Sequence, residues 1–184
     1  MVLVLLTDGM EEIEALTPVD YLRRAGLQVC TLGVTGLQAH GSHGITVQAD
    51  ALLTDFVPTE PVQAVVLPGG KLGIENLRAS SAVKTLLEKA YADGAWLAAI
   101  CSAPTILAAW GYTDGQVVTC YPGWEQQLPA GVTCSGDAVE CLPERRIITG
   151  RSVGTSGSFA LAIVAALQGE QAARELKKTL YPNW

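Results

Sequence analysis

The sequence has few basic residues. Over 184 residues there are 12 Lys and Arg against 18 Asp and Glu, which gives a formal net charge of −6 at pH 7. Nucleic-acid binding depends on clustered Lys and Arg that neutralise phosphates, whereas Arg145-Arg146 and Lys177-Lys178 are isolated pairs. We therefore expect no nucleic-acid partner.

Long hydrophobic runs are also missing. The longest apolar stretch extends from Trp96 to Gly111 and contains Pro104, which falls short of the roughly 20 residues that a membrane-spanning helix needs. The N-terminal segment MVLVLLTDGMEE has no basic start and turns acidic at Asp8, so it predicts a first β-strand rather than a signal peptide. We expect no membrane segment and a cytoplasmic location.

The residue spacings of common metal and cofactor sites are absent. The two histidines, His40 and His43, lie in one irregular segment, and no cysteine pair has CxxC spacing. Five cysteines, an odd number with no export signal, indicate reduced thiols. Neither the phosphate-loop pattern nor the GxGxxG dinucleotide pattern occurs. We predict no metal and no cofactor. The cysteines are Cys30, Cys101, Cys120, Cys134 and Cys141.

The residues that are present alternate between short apolar runs and helical patterns. Apolar residues make up 49% of the chain and charged residues 16%, and the length predicts a single domain over residues 1–184. The predicted strands, several apolar on both faces as in a covered parallel sheet, are Val2–Thr7, Val29–Val34, Ala64–Pro68, Trp96–Cys101 and Arg146–Thr149. The predicted helices are Glu11–Ala25, Ser81–Asp93, Ala103–Trp110, Thr155–Leu167 and Glu170–Leu180. This order predicts a doubly wound α/β fold.

Two segments depart from that alternation. Leu37–Asp50 predicts a small antiparallel hairpin, and Gln116–Pro143 is irregular with short strands. In an open parallel sheet the ligand crevice lies beyond the carboxyl ends of the strands. The segments that follow the strands and should meet there are 7–14, 67–73, 100–104 and 150–156.

Cys101 is the candidate nucleophile. It ends an apolar strand and precedes Ser102-Ala103-Pro104, where small residues permit a tight strand-to-helix turn and proline suits a first helical turn. A thiol at a helix N-terminus is expected to have a lowered pKa and to be a better nucleophile. The alternative is an inert buried cysteine.

Glu14 is the candidate acid–base partner. It follows Ile13, and burial in the crevice would raise the pKa of its carboxyl and let it donate to, or exchange a proton with, the thiol. The alternative, a solvated acidic helix start, suits Glu11 and Glu12 better. Thr17-Pro18 predicts an N-cap and kink that separates the Glu14 segment from the main helix.

Backbone amides could complete the site. Gly69 and Gly70 follow a predicted strand, and their amides together with that of Ser102 could form an oxyanion hole; an ordinary strand-ending turn is the alternative. His43 could overhang the same crevice, although its position fits an exposed loop histidine better.

The segments EEIEALTPVDYLRRAG, VVLPGGKLG, AAICSAP and TGRSVGTSGSFALAIV together resemble the ThiJ/PfpI superfamily, on the branch of the parkinsonism-associated protein deglycase and its bacterial relatives. The resemblance implies a flavodoxin-like, mostly parallel sheet with helices on both faces. It also implies a homodimer with contacts near Asp20 and Arg24. In this pattern Cys101 is the reactive cysteine and Glu14 its protonated partner, while Gly70 and Ser102 supply amides.

The sequence also departs from the family pattern. Tyr121 stands where human-type relatives carry a histidine near the cysteine, and Ser102 stands where the protease-like branch has one. Ser152-Val153 replaces a frequent Gly-Pro, and His43 falls where an arginine lines the pocket in human-type relatives. We place His43, Tyr121, Gly69 and Arg151 among candidate pocket residues.

These observations support competing functions. The resemblance implies a cofactor-free glyoxalase or deglycase that acts on methylglyoxal, glyoxal or their early protein adducts through a Cys101 hemithioacetal, with Glu14 moving protons. The alternative is a thiol sensor or chaperone in oxidative stress whose Cys101 is oxidised to sulfinate without dicarbonyl turnover. A binding module with an incidental cysteine is the third hypothesis.

Overall fold

The computed structural model describes residues 1–181, so the last three residues of the predicted domain lie outside the described residues. The strands are β1 Val2–Leu6, β2 Val29–Gly33, β3 Gln38–His40, β4 Thr46–Gln48, β5 Ala51–Leu52, β6 Ala64–Leu67, β7 Trp96–Ile100, β8 Val117–Val118, β9 Thr133–Cys134, β10 Val139–Leu142 and β11 Ile147–Gly150. The helices are α1 Glu12–Arg24, α2 Lys71–Ala79, α3 Ser81–Ala92, α4 Pro104–Ala109, α5 Ser156–Gln168 and α6 Glu170–Leu180.

The central sheet confirms the predicted fold class. Its seven strands have the order β10-β11-β7-β6-β1-β2-β5, and every pair is parallel except that of the edge strand β10 with β11. Because successive side chains of a strand face opposite sides, Val2, Val4 and Leu6 pack in the core under α1, α5 and α6. Leu3 and Leu5 pack in the core under α2, α3 and α4. The sheet is covered on both faces.

The predicted hairpin is confirmed as the antiparallel pair β3 and β4. The irregular region contains the short parallel pair β8 and β9. Among residues 1–181, no helix combines the length and apolar character needed to cross a bilayer.

The predicted break in the first helix is wrong. α1 runs without interruption through Pro18. Its N-cap is Glu11 rather than Thr17, and the Glu11 carboxylate accepts the Glu14 N–H at 2.8 Å. Pro18 removes one helical hydrogen bond. It is nevertheless buried on the same side of α1 as Val19 and Leu22, so packing against the sheet keeps the helix continuous.

α2 is a helix that the sequence did not reveal. Its N-cap is Gly70 at φ 96° and it contains Gly73, and glycine lowers helix propensity. Gly73 is required by packing, because a Cβ there would lie 2.9 Å from the Met10 Cα. The close contact with the turn after β1 therefore explains why α2 contains Gly73, a residue that is unfavourable in helices and that hid the helix from sequence analysis.

Candidate active site

Cys101 occupies a strained turn between β7 and α4. It has φ 66°, in the left-handed region that non-glycine residues rarely adopt. The chain on both sides fixes this turn: the Cys101 N–H donates to Gly150 O at 2.9 Å, and the Cys101 carbonyl accepts the Tyr121 N–H at 2.8 Å. Strain held in this way is frequent at functional sites. The turn thus presents the thiol beyond the end of β7.

Glu14 comes from α1 and is buried. Glu14 is 1% exposed, and its Oε2 accepts the Gly69 N–H at 2.9 Å. The carboxyl also hydrogen-bonds the Cys101 thiol. This contact lowers the pKa of Glu14 and raises the pKa of Cys101. α1 and β7 therefore bring the predicted pair together.

Gly69 is the point around which the site is packed. A Cβ added at this glycine would lie 2.7 Å from the Cys101 Cβ, 2.7 Å from Glu14 Oε2 and 3.0 Å from Ser102 Oγ. Real Cβ atoms essentially never come within 3.0 Å of other atoms, so a side chain at position 69 would collide with Cys101 and Glu14 and would press against Ser102. Gly70, at φ 96°, would similarly bring a Cβ against Gly9 O.

The backbone amides of Gly70 and Ser102 both hydrogen-bond Cys101. Two N–H groups directed at one sulfur are also positioned near any atom that the sulfur attacks, which is the arrangement that stabilises an oxyanion. Ser102 Oγ is buried without a hydrogen-bond partner in the described residues.

Burial dominates the electrostatics of the pair. It raises the pKa of Glu14 to about 7, against the hydrogen bonds from Cys101 and Gly69. Burial, followed by the neighbouring Glu14, raises the pKa of Cys101 to about 12, and the amides of Ser102 and Gly70 oppose this rise. The predicted lowering of the thiol pKa is therefore wrong in direction. α4 is short and begins only at Pro104, so its dipole does not outweigh burial.

The raised pKa of Glu14 predicts a pH-dependent stability. The unfolded carboxyl ionises near its usual pKa of 4.5, whereas the folded carboxyl ionises near 7. The folded state therefore binds more protons between these pH values, and stability falls as the pH rises through them. We expect the free energy of unfolding of the wild type to fall by about 3 kcal/mol relative to Glu14→Gln between pH 4.5 and pH 8.

Urea unfolding of both proteins across this range measures the effect. Glu60→Gln, which changes an exposed carboxylate, is the matched control and should follow the wild type. Parallel curves for wild type and Glu14→Gln would contradict the assignment of a raised pKa to Glu14.

The expectation that Glu11 and Glu12 are simply solvated is wrong for Glu12. That residue is 1% exposed, and its carboxylate accepts the backbone N–H groups of His43 at 2.7 Å and Ile45 at 3.3 Å. Burial would raise its pKa, but a hydrogen bond from its own backbone N–H, followed by those from His43 and Ile45 of the hairpin, lowers it. Gly41 permits this contact, since a Cβ there would collide with the Glu12 carboxylate. Glu12 thus anchors the β3–β4 hairpin to α1.

His43 participates in this anchor. Its Nδ1 lies 3.0 Å from Glu12 Oε2, and its side chain is 69% exposed. The hydrogen bond with Glu12 raises the pKa of His43. Glu11, Glu12 and His43 also place possible metal-ligand atoms within 4.8 Å of one another. Because the Glu12 oxygens already accept hydrogen bonds from the hairpin, the geometry is accounted for by this structural role.

The other candidate residues take different positions. The Tyr121 backbone N–H donates to the Cys101 carbonyl, and the residue is 44% exposed. Arg151 has a buried Nη1 without a hydrogen-bond partner in the described residues, close to Gly136. Asp20 and Arg24 form an exposed ion pair with each other along α1 at 2.6 Å. An apolar groove of about 790 Å³ lies elsewhere, between residues 53–62 and α3, and contains none of these residues.

The fold and the site together define a class of protein: a doubly wound α/β domain with a cysteine at a strained strand-to-helix turn, beside a buried glutamate. Comparison with known proteins identifies the family: the model of the DJ-1/PfpI family matches residues 1–166. This chain belongs to the DJ-1/PfpI family.

Individual relatives match along almost the whole chain. The Parkinson disease protein 7 homolog of Danio rerio is 38% identical over 179 residues, which cover 97% of this chain and 95% of the relative. A glutathione-independent glyoxalase of Caenorhabditis elegans, DJR-1.2, is 30% identical over 97% of this chain and 94% of its own. The structure of oxidized Toxoplasma gondii DJ-1 superposes with a TM-score of 0.91 at 31% identity, covering 100% of this chain and 98% of that one.

Proposed function

We propose that this protein is a cofactor-independent, cysteine-dependent glyoxalase or deglycase acting on methylglyoxal, glyoxal or their early protein adducts. The observation that carries the proposal is the packing of Cys101, the Glu14 carboxyl and Ser102 around Gly69, where the amides of Gly70 and Ser102 also act on the thiol. A glutathione-independent glyoxalase among the relatives supports it.

The first step is addition of sulfur to the aldehyde. Because the pKa of Glu14 is about 7 and that of Cys101 about 12, the carboxyl loses its proton before the thiol does, and the ionised fraction of the pair at neutral pH carries its charge on the carboxylate. Glu14 therefore accepts the thiol proton as sulfur attacks the aldehyde carbon, and the oxygen that gains charge is stabilised by the two amides. Protonation of that oxygen gives the hemithioacetal.

The second step is an internal proton transfer. Glu14 removes the hydrogen from the former aldehyde carbon to form an enediol, and a proton returns to the neighbouring carbon to give a thioester. Water then hydrolyses the thioester, releasing a 2-hydroxy acid and restoring the thiol, so methylglyoxal plus water becomes lactate. In residues 1–181, Glu14 is the one ionisable side chain that contributes to the shifted pKa of Cys101, and we assign both proton transfers to it.

We also propose the setting in which this site works. Residues 1–184 act as one domain in the cytoplasm, where a reducing environment keeps the thiol available. A homodimer forms through the face of α1 that carries Asp20 and Arg24, which are both exposed.

The direct test is lactate formation from methylglyoxal in the absence of glutathione, with chiral analysis of the product. The wild type should give one enantiomer in excess, and Glu14→Gln should lower kcat by about 100-fold or more, since general acid–base catalysis contributes 10²–10⁴-fold. Racemic lactate, or equal rates for the two proteins, would overturn the assignment of Glu14.

A redox function of the same thiol is the second candidate. The Glu14 carboxyl that hydrogen-bonds Cys101 would equally hydrogen-bond a sulfinate, and a relative of known structure is described as oxidized. In this function hydrogen peroxide converts Cys101 to sulfinate ahead of the other cysteines, and methylglyoxal is not turned over. Mass spectrometry after limiting peroxide, combined with the lactate assay, distinguishes the two.

A further inference from the structure

Cys120 and Cys134 form a close pair of thiols outside the site described above. Their Sγ atoms lie 3.8 Å apart, although 14 residues separate them in the chain. Cys120 is fully buried and Cys134 is partly exposed. The sulfur atoms are in contact, and Cys134 is the residue of the pair that is partly exposed to solvent.

The fold fixes both cysteines in place. Cys134 ends β9 and pairs with Val118 of β8, and the next residue, Ser135, donates its N–H to Val118 O at 2.9 Å. Cys120 lies between two anchored residues: the Thr119 N–H donates to Thr149 Oγ1 at 3.0 Å, and the Tyr121 N–H donates to the carbonyl of Cys101. Backbone hydrogen bonds next to Cys120 and next to Cys134 therefore hold the two sulfur atoms in contact.

We infer that Cys120 and Cys134 are a second oxidation site, a dithiol that hydrogen peroxide converts into an intramolecular disulfide independently of Cys101. The sulfur separation must shorten from 3.8 Å to about 2.05 Å. β8 and β9 are two-residue strands outside the central sheet, so this adjustment leaves the central sheet in place.

The exposure of the two thiols sets the order of the reaction. Cys134 is the accessible one and attacks peroxide first, forming a sulfenic acid and releasing water. The sulfur of Cys120 then attacks the sulfur of Cys134, and the hydroxyl leaves as water with the proton of the Cys120 thiol. In total, two thiols and one peroxide give one disulfide and two waters, and the peroxide takes both electrons.

The surroundings of Cys120 keep it from being the first of the two thiols to react. Burial, followed by Cys134 and Glu125, raises the pKa of Cys120 to about 12, with Arg151 acting in the opposite direction. Cys120 thus stays protonated and shielded until a sulfenic acid forms beside it.

Peptide mapping can assign the disulfide without ambiguity. Between Lys89 and Arg145 the chain has no Lys or Arg, but it has glutamates at 125, 140 and 144. Trypsin with a glutamate-specific protease therefore yields peptides 90–125 and 126–140. In Cys101→Ser these peptides carry Cys120 and Cys134 as their only cysteines. The folded Cys101→Ser protein is treated with peroxide, free thiols are alkylated, and the digest is analysed by mass spectrometry.

We expect peptides 90–125 and 126–140 to be joined, at their summed mass less two hydrogen atoms, and to separate on treatment with dithiothreitol. In Cys120→Ser the joined species should be absent, and Cys134 should proceed to sulfinate because its resolving thiol is missing. Oxidation of Cys134 to sulfinate in the Cys101→Ser protein, with Cys120 still free for alkylation, would overturn the inference. A disulfide that forms in the wild type but not in Cys101→Ser would overturn its independence from Cys101.

Discussion

Cys101→Ser should eliminate dicarbonyl turnover. The loss in kcat/KM is expected to be on the order of 10³-fold or more, down to the uncatalysed rate, because a serine hydroxyl at this position keeps the backbone geometry but is a far weaker nucleophile than the sulfur. The fold should survive, since the turn is held by the Cys101 backbone groups bonded to Gly150 and Tyr121. The measurement is lactate formation from methylglyoxal beside the thermal unfolding midpoint.

Cys141→Ser is the matched control for this experiment. Cys141 is an exposed cysteine on the edge strand β10, and its replacement should leave turnover unchanged. Should Cys101→Ser retain activity within tenfold of the wild type, the sulfur would not be the nucleophile. Loss of activity in both variants would indicate a general effect of thiol removal.

Gly69→Ala should disable the site with a smaller effect on the fold. The added methyl group would lie 2.7 Å from both the Cys101 Cβ and Glu14 Oε2, so the cysteine and the glutamate must move apart. A displacement of about 1 Å in a reacting group can cost about 100-fold in rate, while overpacking typically costs about 1–3 kcal/mol of stability. We expect kcat/KM to fall by about 100-fold in a protein that still folds.

Gly154→Ala provides the comparison, because a Cβ at Gly154 meets no heavy atom within 4 Å. The same chemical change should leave both turnover and stability near those of the wild type. If Gly69→Ala instead keeps full activity, the close packing of Cys101 and Glu14 is not needed for the reaction. The rate of Cys101 alkylation, measured in parallel, reports whether the sulfur has moved.

The position of the glutamate shows why this site depends on the fold as a whole. Glu14 reaches the N–H of Gly69 across 55 residues of sequence. α1, which carries the carboxyl, packs on the opposite face of the sheet from α2, which begins just after Gly69. Only the edge formed by the carboxyl ends of β1, β6 and β7 brings them together, as expected for an open parallel sheet.

Local patterns in the sequence determined the sheet and the elbow. The apolar runs of β1, β6 and β7 are buried on both faces. Such strands can be predicted from sequence because nearly every residue in them must be apolar. The small residues after Cys101 similarly indicated the turn that the structure shows. The pairing of β3 with β4 could be predicted for the same reason, because glycines and the alternation of apolar and polar residues are local signals.

Tertiary structure alone decided the remaining features. Packing overrode local propensity where α1 continues through Pro18 and where α2 contains Gly73. The pKa of Cys101 rises because burial, followed by the Glu14 carboxyl, outweighs the amides of Ser102 and Gly70, and the balance of these effects depends on the completed fold. The contact between Cys120 and Cys134 arises in a region that has no regular periodicity. Sequence fixes which groups a segment carries, whereas desolvation and through-space contacts depend on where the completed fold places them.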